Sequence, residues 1–155
     1  MLREKRFYGP EGPTRTSNRD DWETPDDIYD PLNEEFGFTL DAAASAANTK
    51  VHNNYYTKEE DAVLQPWSGV VWLNPPYGEQ IGRFIRKAYR ESLAGVTVVA
   101  LLPARTDTIY WHECIEGKAE VRFVRGRVKF GLNGEPGVQG APFPSVIVIW
   151  RGINQ

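Results

Sequence analysis

Residues 70–77 read Val70-Val71-Trp72-Leu73-Asn74-Pro75-Pro76-Tyr77, and this stretch decides the architecture. Four apolar residues, two of them β-branched, form a buried strand. The two prolines end it, because each removes a backbone donor and fixes φ. Ile81, Phe84, Ile85, Ala88 and Leu93 follow near one face of a helix, with Gly95 as its stop signal. Val96-Thr97-Val98-Val99-Ala100-Leu101-Leu102 comes next, an almost continuous apolar run that suits a central strand covered on both faces. Strand, helix and strand in this order predict a parallel sheet in an α/β fold.

Upstream, Ile28, Leu32 and Phe36 recur every four residues and predict a helix, with Thr24 as N-cap, Pro25 at its first position and Pro31 able to bend it. Phe36-Gly37-Phe38-Thr39-Leu40 reads as a turn into a short strand ending at Asp41. Alanine-rich residues 42–47 follow, and Tyr55-Tyr56-Thr57 marks a second strand. Downstream, Asp107 caps a short helix ending near Gly117. The last two strands fall at about 119–125, extending toward 130, and at 145–150. Gly131, Gly134, Pro136, Gly137, Gly140 and Pro142 make the segment between them a loop, so the mostly parallel central sheet ends in a β-hairpin. Residues 1–19 carry Gly9-Pro10 and Gly12-Pro13 with no hydrophobic period and read as a mobile N-terminal arm; 20–155 read as one domain.

At 155 residues, 41% hydrophobic and 25% charged, the chain has the composition of one soluble domain. Its single cysteine, Cys114, excludes a disulfide framework and a Cys-rich zinc module, and reads as a packing residue. His112-Glu113-Cys114 is too closely spaced and too isolated for a zinc set, so no metal is assigned. No apolar run approaches the roughly 20 residues of a membrane span. The charged N-terminus lacks the apolar core of a signal peptide. The expected location is cytoplasmic, with no membrane partner.

The net charge of −3 conceals an asymmetry: residues 1–80 carry 7 basic against 15 acidic side chains, and residues 81–155 carry 11 against 6. The basic excess clusters in Arg83, Arg86, Lys87 and Arg90 and in Arg122, Arg125, Arg127 and Lys129. Such runs are commonly solvated faces, yet a basic face on an acidic protein can also contact phosphates. Strand alternation would place Arg125, Arg127 and Lys129 on one face.

Asn74-Pro75-Pro76-Tyr77 carries the chemistry. Behind a buried strand, the prolines leave two acceptors with no ladder to consume them, the Asn74 side-chain oxygen and the Pro75 carbonyl. Two converging acceptors suit an NH2 group with two hydrogens to donate, turning its lone pair toward an electrophile. Tyr77 offers a flat face for a heterocycle. Asp41 and Asn74 each follow a predicted strand and would open on the edge where open α/β sheets bind ligands.

The tetrapeptide resembles the catalytic motif of S-adenosylmethionine-dependent amino-methyltransferases. The resemblance is closest to the phage DNA N6-adenine methyltransferases of the Dam type. It runs in order through Trp22-x-Thr24-Pro25, Leu40-Asp41-x-Ala43-x-Ser45, Tyr55-Tyr56-Thr57, Asp61-x-x-Leu64 with Trp67, the tetrapeptide, Leu102 to Thr108, Gly126-Arg127-x-Lys129-Phe130 and Phe143-Pro144-Ser145. It implies a Rossmann-like methyltransferase fold, S-adenosylmethionine as cofactor, and transfer of a methyl group to the exocyclic amine of a flipped adenine in double-stranded DNA. It implies Asn74, Pro75, Pro76 and Tyr77 as catalytic. Trp22, Thr24, Pro25, Asp41, Ala42, Ala43, Ser45, Asp61 and Asn74 would bind the cofactor. Within that set, Thr24 and Pro25 close over its methionine end, Asp41 lies near that end, and Asp61 accepts from its adenine. The alanines after Asp41 replace the Gly-rich turn of most methyltransferases. Arg105, Arg127 and Lys129 are the expected DNA contacts, and the Gly-rich loop would close over DNA. An RNA adenine or a protein glutamine amide is an alternative acceptor, and a catalytically silent nucleic-acid-binding module is the alternative of another class.

Overall fold

The computed structural model describes residues 22–44, 48–132 and 134–153. The expected N-terminal arm and Ser45 lie outside them. Six strands form one sheet in the order β2-β1-β3-β4-β6-β5. They are β1 Leu40–Ala44, β2 Tyr55–Thr57, β3 Val70–Leu73, β4 Thr97–Pro103, β5 Glu120–Phe123 and β6 Ser145–Trp150. β2, β1, β3 and β4 run parallel. β6 lies antiparallel to both β4 and β5, closing the sheet with the expected hairpin. Helix α1 spans Asp26–Phe36, helix α2 spans Ile81–Leu93, and a π-helical turn covers Trp111–Ile115.

The alternation of side chains along the strands divides the core in two. Val71 and Leu73 of β3, with Val98, Ala100 and Leu102 of β4, pack against α2 and the Trp111–Ile115 turn. Trp72, Val99, Leu101, Ile147 and Ile149 face the other way, against Tyr29 and Leu32 of α1. All of β3 after Val70 and β4 after Thr97 is buried, so the apolar run of β4 serves both layers. Burying each of these aliphatic side chains contributes about 1.5–3 kcal/mol.

Several local expectations shift. β1 begins rather than ends near Asp41, which is its second residue and pairs with Trp72 of β3. The N-cap of α1 is Pro25, whose carbonyl accepts from Ile28 and Tyr29; the Thr24 side chain points elsewhere. α1 continues through Pro31 and stops at Gly37, whose left-handed φ of 68° lets its N–H reach the Asn33 carbonyl. On α2 the buried residue is Ser92, while Leu93 is 48% exposed. Ser92 lies about 20° from Ile81 around the helix and Leu93 about 120°, which decides between them. β5 ends at Phe123, so 124–130 is not strand, although Val128 is buried between the exposed Arg127 and Lys129.

Candidate active site

Asn74 follows β3 directly, at the carboxyl-end edge of the sheet. Its Nδ2 donates to the Thr24 hydroxyl at 3.1 Å and to the Trp22 carbonyl at 3.4 Å. Because a carbonyl can only accept, Trp22 determines which end of the amide is NH2. Asn74 Oδ1 then faces the Tyr77 hydroxyl at 2.8 Å. That hydroxyl also lies 2.7 Å from the Leu101 carbonyl, so one proton is shared between two acceptors. Burial pushes the Tyr77 phenol well above its ordinary value, with Arg105 opposing, and keeps it protonated. Pro75 is buried, and its carbonyl accepts no hydrogen bond from the described residues.

Two expected roles change here. Tyr77 is 2% exposed and offers no open face for a base. It stands edge-on to Trp22, Phe130 and Phe143, at centroid distances of 6.4, 5.8 and 5.6 Å. Trp22 in turn stacks on Phe130 at 5.1 Å. Arg105 is turned inward: its Nη1 donates to the Tyr77 carbonyl at 3.2 Å and its guanidinium lies 5.9 Å from the Phe143 ring centre. It holds the motif in place. Phe130 and Phe143 belong to the aromatic wall of the site, a role that no local sequence signal assigns them, because they come from opposite ends of the Gly-rich loop.

Trp22, Thr24, Asp41, Ala43 and Asn74 are brought together around one small cavity of about 20 Å³. Asp41 is 3% exposed, and its carboxylate accepts from the backbone N–H of Lys50 at 2.8 Å and of Ala43 at 3.3 Å. Burial outweighs these bonds and pushes the carboxyl up to about 6. Ala42 is buried in the core cluster with Leu40. Asp61 has no place around this cavity. It caps the turn Ala62–Leu64, accepting from Val63 N–H, and pairs with Arg83 at 3.2 Å. It is the one non-glycine with positive φ among the described residues, at 51°.

Glu23, which the sequence reading passed over, ties this region to the Gly-rich loop. Its backbone exchanges two hydrogen bonds of 2.9 Å with Gly131, and its carboxylate accepts from Gly134 N–H at 3.2 Å. A Cβ on Gly131 would come within 2.8 Å of the Glu135 carbonyl, so glycine permits the close approach. Beyond this seam lies an open cavity of about 580 Å³, lined among others by Pro25, Arg125, Arg127, Lys129 and Gly137. Arg127 and Lys129 therefore share a surface, and Arg105 is not on it.

The remaining basic residues divide by partner. Arg122 is bound by Glu35 and Glu120, Arg151 by Glu120, Lys87 by Glu91 and Arg83 by Asp61. Arg125, Arg127 and Lys129 have no carboxylate partner among the described residues. Cys114 is buried in the core, where its thiol is pushed up by desolvation. His112 contacts the Thr106 carbonyl and Glu116. Among the described residues there is no group of three or more metal-ligating side chains, and no helix is long and apolar enough to cross a membrane.

Comparison with known proteins bears on the family of the chain. The family model described as DNA N-6-adenine-methyltransferase (Dam) matches residues 11–155. The DNA N-6-adenine-methyltransferase of Haemophilus phage HP1 (strain HP1c1) is 31% identical over 128 residues, covering 80% of this chain and 73% of its own. That of Escherichia phage T1 is 31% identical over 171 aligned positions, covering 97% and 70%. A putative methyltransferase of Escherichia coli (strain K12), YfdM, is 39% identical over 66 residues, covering 37% of this chain and 71% of its own.

Proposed function

The chain belongs to the DNA N-6-adenine-methyltransferase (Dam) family, and from that premise we propose that it methylates N6 of an adenine turned out of double-stranded DNA, with S-adenosylmethionine as methyl donor. The observation that carries the reading is the pair of acceptors after β3: Asn74 Oδ1, backed by a donor it shares with Leu101, and the Pro75 carbonyl. Adenine N6 is buried by base pairing in the duplex, so the base must leave the stack to reach them.

Asn74 Oδ1 and the Pro75 carbonyl each accept one amino hydrogen. Held by both, the nitrogen cannot keep its lone pair in conjugation with the ring and presents it to the methyl group. When Oδ1 takes the substrate's hydrogen bond, the Tyr77 hydroxyl keeps its proton and turns its own hydrogen bond to the Leu101 carbonyl, so neither acceptor is left without a donor. Tyr77 thus acts through its hydroxyl. Positioning and fixed dipoles supply the acceleration. The amine of the base is itself the nucleophile, so no covalent intermediate on the protein is needed.

S-adenosylmethionine, when bound, supplies a methyl group on a positively charged sulfur. The chemistry of the small cavity suits such a cation: Asp41 presents a desolvated carboxylate there, beside the small side chain of Ala43 and the amide of Asn74. Trp22 and Thr24 wall that cavity, Pro25 lines the larger cavity on the other side of Thr24, Ala42 and Ser45 are near Asp41 in the chain, and Asp61 follows β2; these complete the proposed cofactor set. DNA lies along Arg125, Arg127 and Lys129.

The test is direct. Incubation with S-adenosylmethionine and unmethylated duplex DNA, digestion to nucleosides and mass spectrometry should reveal N6-methyldeoxyadenosine. Asn74→Ala should abolish it while cofactor binding persists. Normal turnover by that variant would refute the assignment.

A further inference from the structure

We infer that Thr24 is a positioning residue for Asn74, holding the catalytic amide in the direction that the Trp22 carbonyl sets. This deepens the reading above and rests on Asn74 being the amino-group acceptor.

The side chain of Thr24 is 4% exposed, does not cap α1, and meets Asn74 Nδ2 at 3.1 Å. The Trp22 carbonyl meets the same nitrogen at 3.4 Å. An asparagine amide has two orientations of nearly equal shape, and only one points Oδ1 toward the substrate. Tyr77 does not choose between them. Its hydroxyl can donate to Oδ1, or it can donate to Leu101 and accept from Nδ2. The choice falls to the Trp22 carbonyl, which can only accept, and the Thr24 hydroxyl adds a second, closer acceptor that holds the amide nitrogen in the orientation so chosen. That segment is itself held from outside the strand framework, by the Glu23–Gly131 backbone pair and by the stacking of Trp22 on Phe130. The direction of the catalytic amide is thus imposed by residues 50 and 52 positions earlier in the chain.

The experiment compares Thr24→Val, which keeps the shape and loses the acceptor, with Thr24→Ser, which keeps both the hydroxyl and its reach. Thr24→Ala serves if the valine variant does not fold. Thr24→Val should lower kcat by about ten- to a hundred-fold, the range expected for a misplaced catalytic group. Because Thr24 also lines the proposed cofactor cavity, kcat is compared at saturating S-adenosylmethionine, where a change in cofactor Kd does not enter the rate. Thr24→Ser should recover most of the activity. In the cofactor-free protein, the Asn74 side-chain NH2 resonances should exchange with solvent faster in Thr24→Val than in wild type or Thr24→Ser. Wild-type kcat in Thr24→Val would overturn the inference, as would a weakened Kd with kcat intact at saturating cofactor, which would make Thr24 a cofactor contact only. Asn74→Ala separates the two levels. If it is active, the reading of Asn74 fails; if it is inactive while Thr24→Val is normal, only the inference about Thr24 fails.

Discussion

Two cavities share a wall made of Glu23, Thr24 and Lys50, and they differ in almost every other respect. The larger, about 580 Å³, is bordered by Arg125, Arg127 and Lys129, by the carboxylates of Asp26, Asp27 and Glu135 and by the Gly-rich loop. The smaller, about 20 Å³, holds the buried Asp41 carboxylate and the Asn74 amide. In the proposed function, Arg125, Arg127 and Lys129 at the larger cavity, an open groove, take the phosphates. In the proposed function, the buried Asp41 carboxylate beside the Asn74 amide takes the cationic cofactor. The wall belongs to both cavities.

The largest effect expected from breaking this division is on the groove. Arg127→Glu with Lys129→Glu should weaken duplex binding by about ten- to a hundred-fold and flatten its salt dependence by about two units of slope. S-adenosylmethionine binding should not change. Titrations at several salt concentrations check both, and an unchanged slope would remove these residues from the DNA surface.

Asp41→Asn strikes the small cavity. Cofactor affinity should fall by about ten-fold, as for loss of a hydrogen-bonded charge, with duplex binding intact. The same variant has a pH signature. A folded carboxyl held at about 6 against an ordinary 3.8 binds its proton more tightly than the unfolded chain does. Its contribution to stability is fully present below about pH 4 and is lost as pH rises through about 6. Relative to Asp41→Asn, the wild type should therefore lose up to about 3 kcal/mol across that window and stay level above it. Urea denaturation at a series of pH values measures this, and a difference that grows more favourable to wild type with rising pH would contradict it.

The smallest effect sharpens the contrast. Arg122 stands three residues before Arg125 in the same basic run, yet it is bound by Glu35 and Glu120 and lies outside the groove. Arg122→Ala should leave duplex affinity within about two-fold, since an already paired surface cation has little charge left to offer. A loss comparable to the Arg127 and Lys129 variant would show that pairing does not divide the run.

Much of this protein was legible before any coordinates. β3, α2, β4 and β6 are strongly periodic or continuously apolar, so their burial could be read locally, and the motif after β3 announced its acceptors because prolines cannot continue a ladder. The hairpin followed from two strands joined by a Gly-rich loop. What local sequence could not convey was pairing across distance. Thr24 looked like a helix cap because Ser, Thr, Asn and Asp before a helix usually are; a partner 50 residues away claimed its hydroxyl. Tyr77 looked like an open platform until Trp22, Phe130 and Phe143 closed around it. Arg105 and Arg122 looked like free cations until the fold brought a carbonyl to one and carboxylates to the other. Composition and periodicity determine which residues leave water. Which polar group meets which is decided only when the sheet assembles, because each such bond depends on the positions of two chain segments at once.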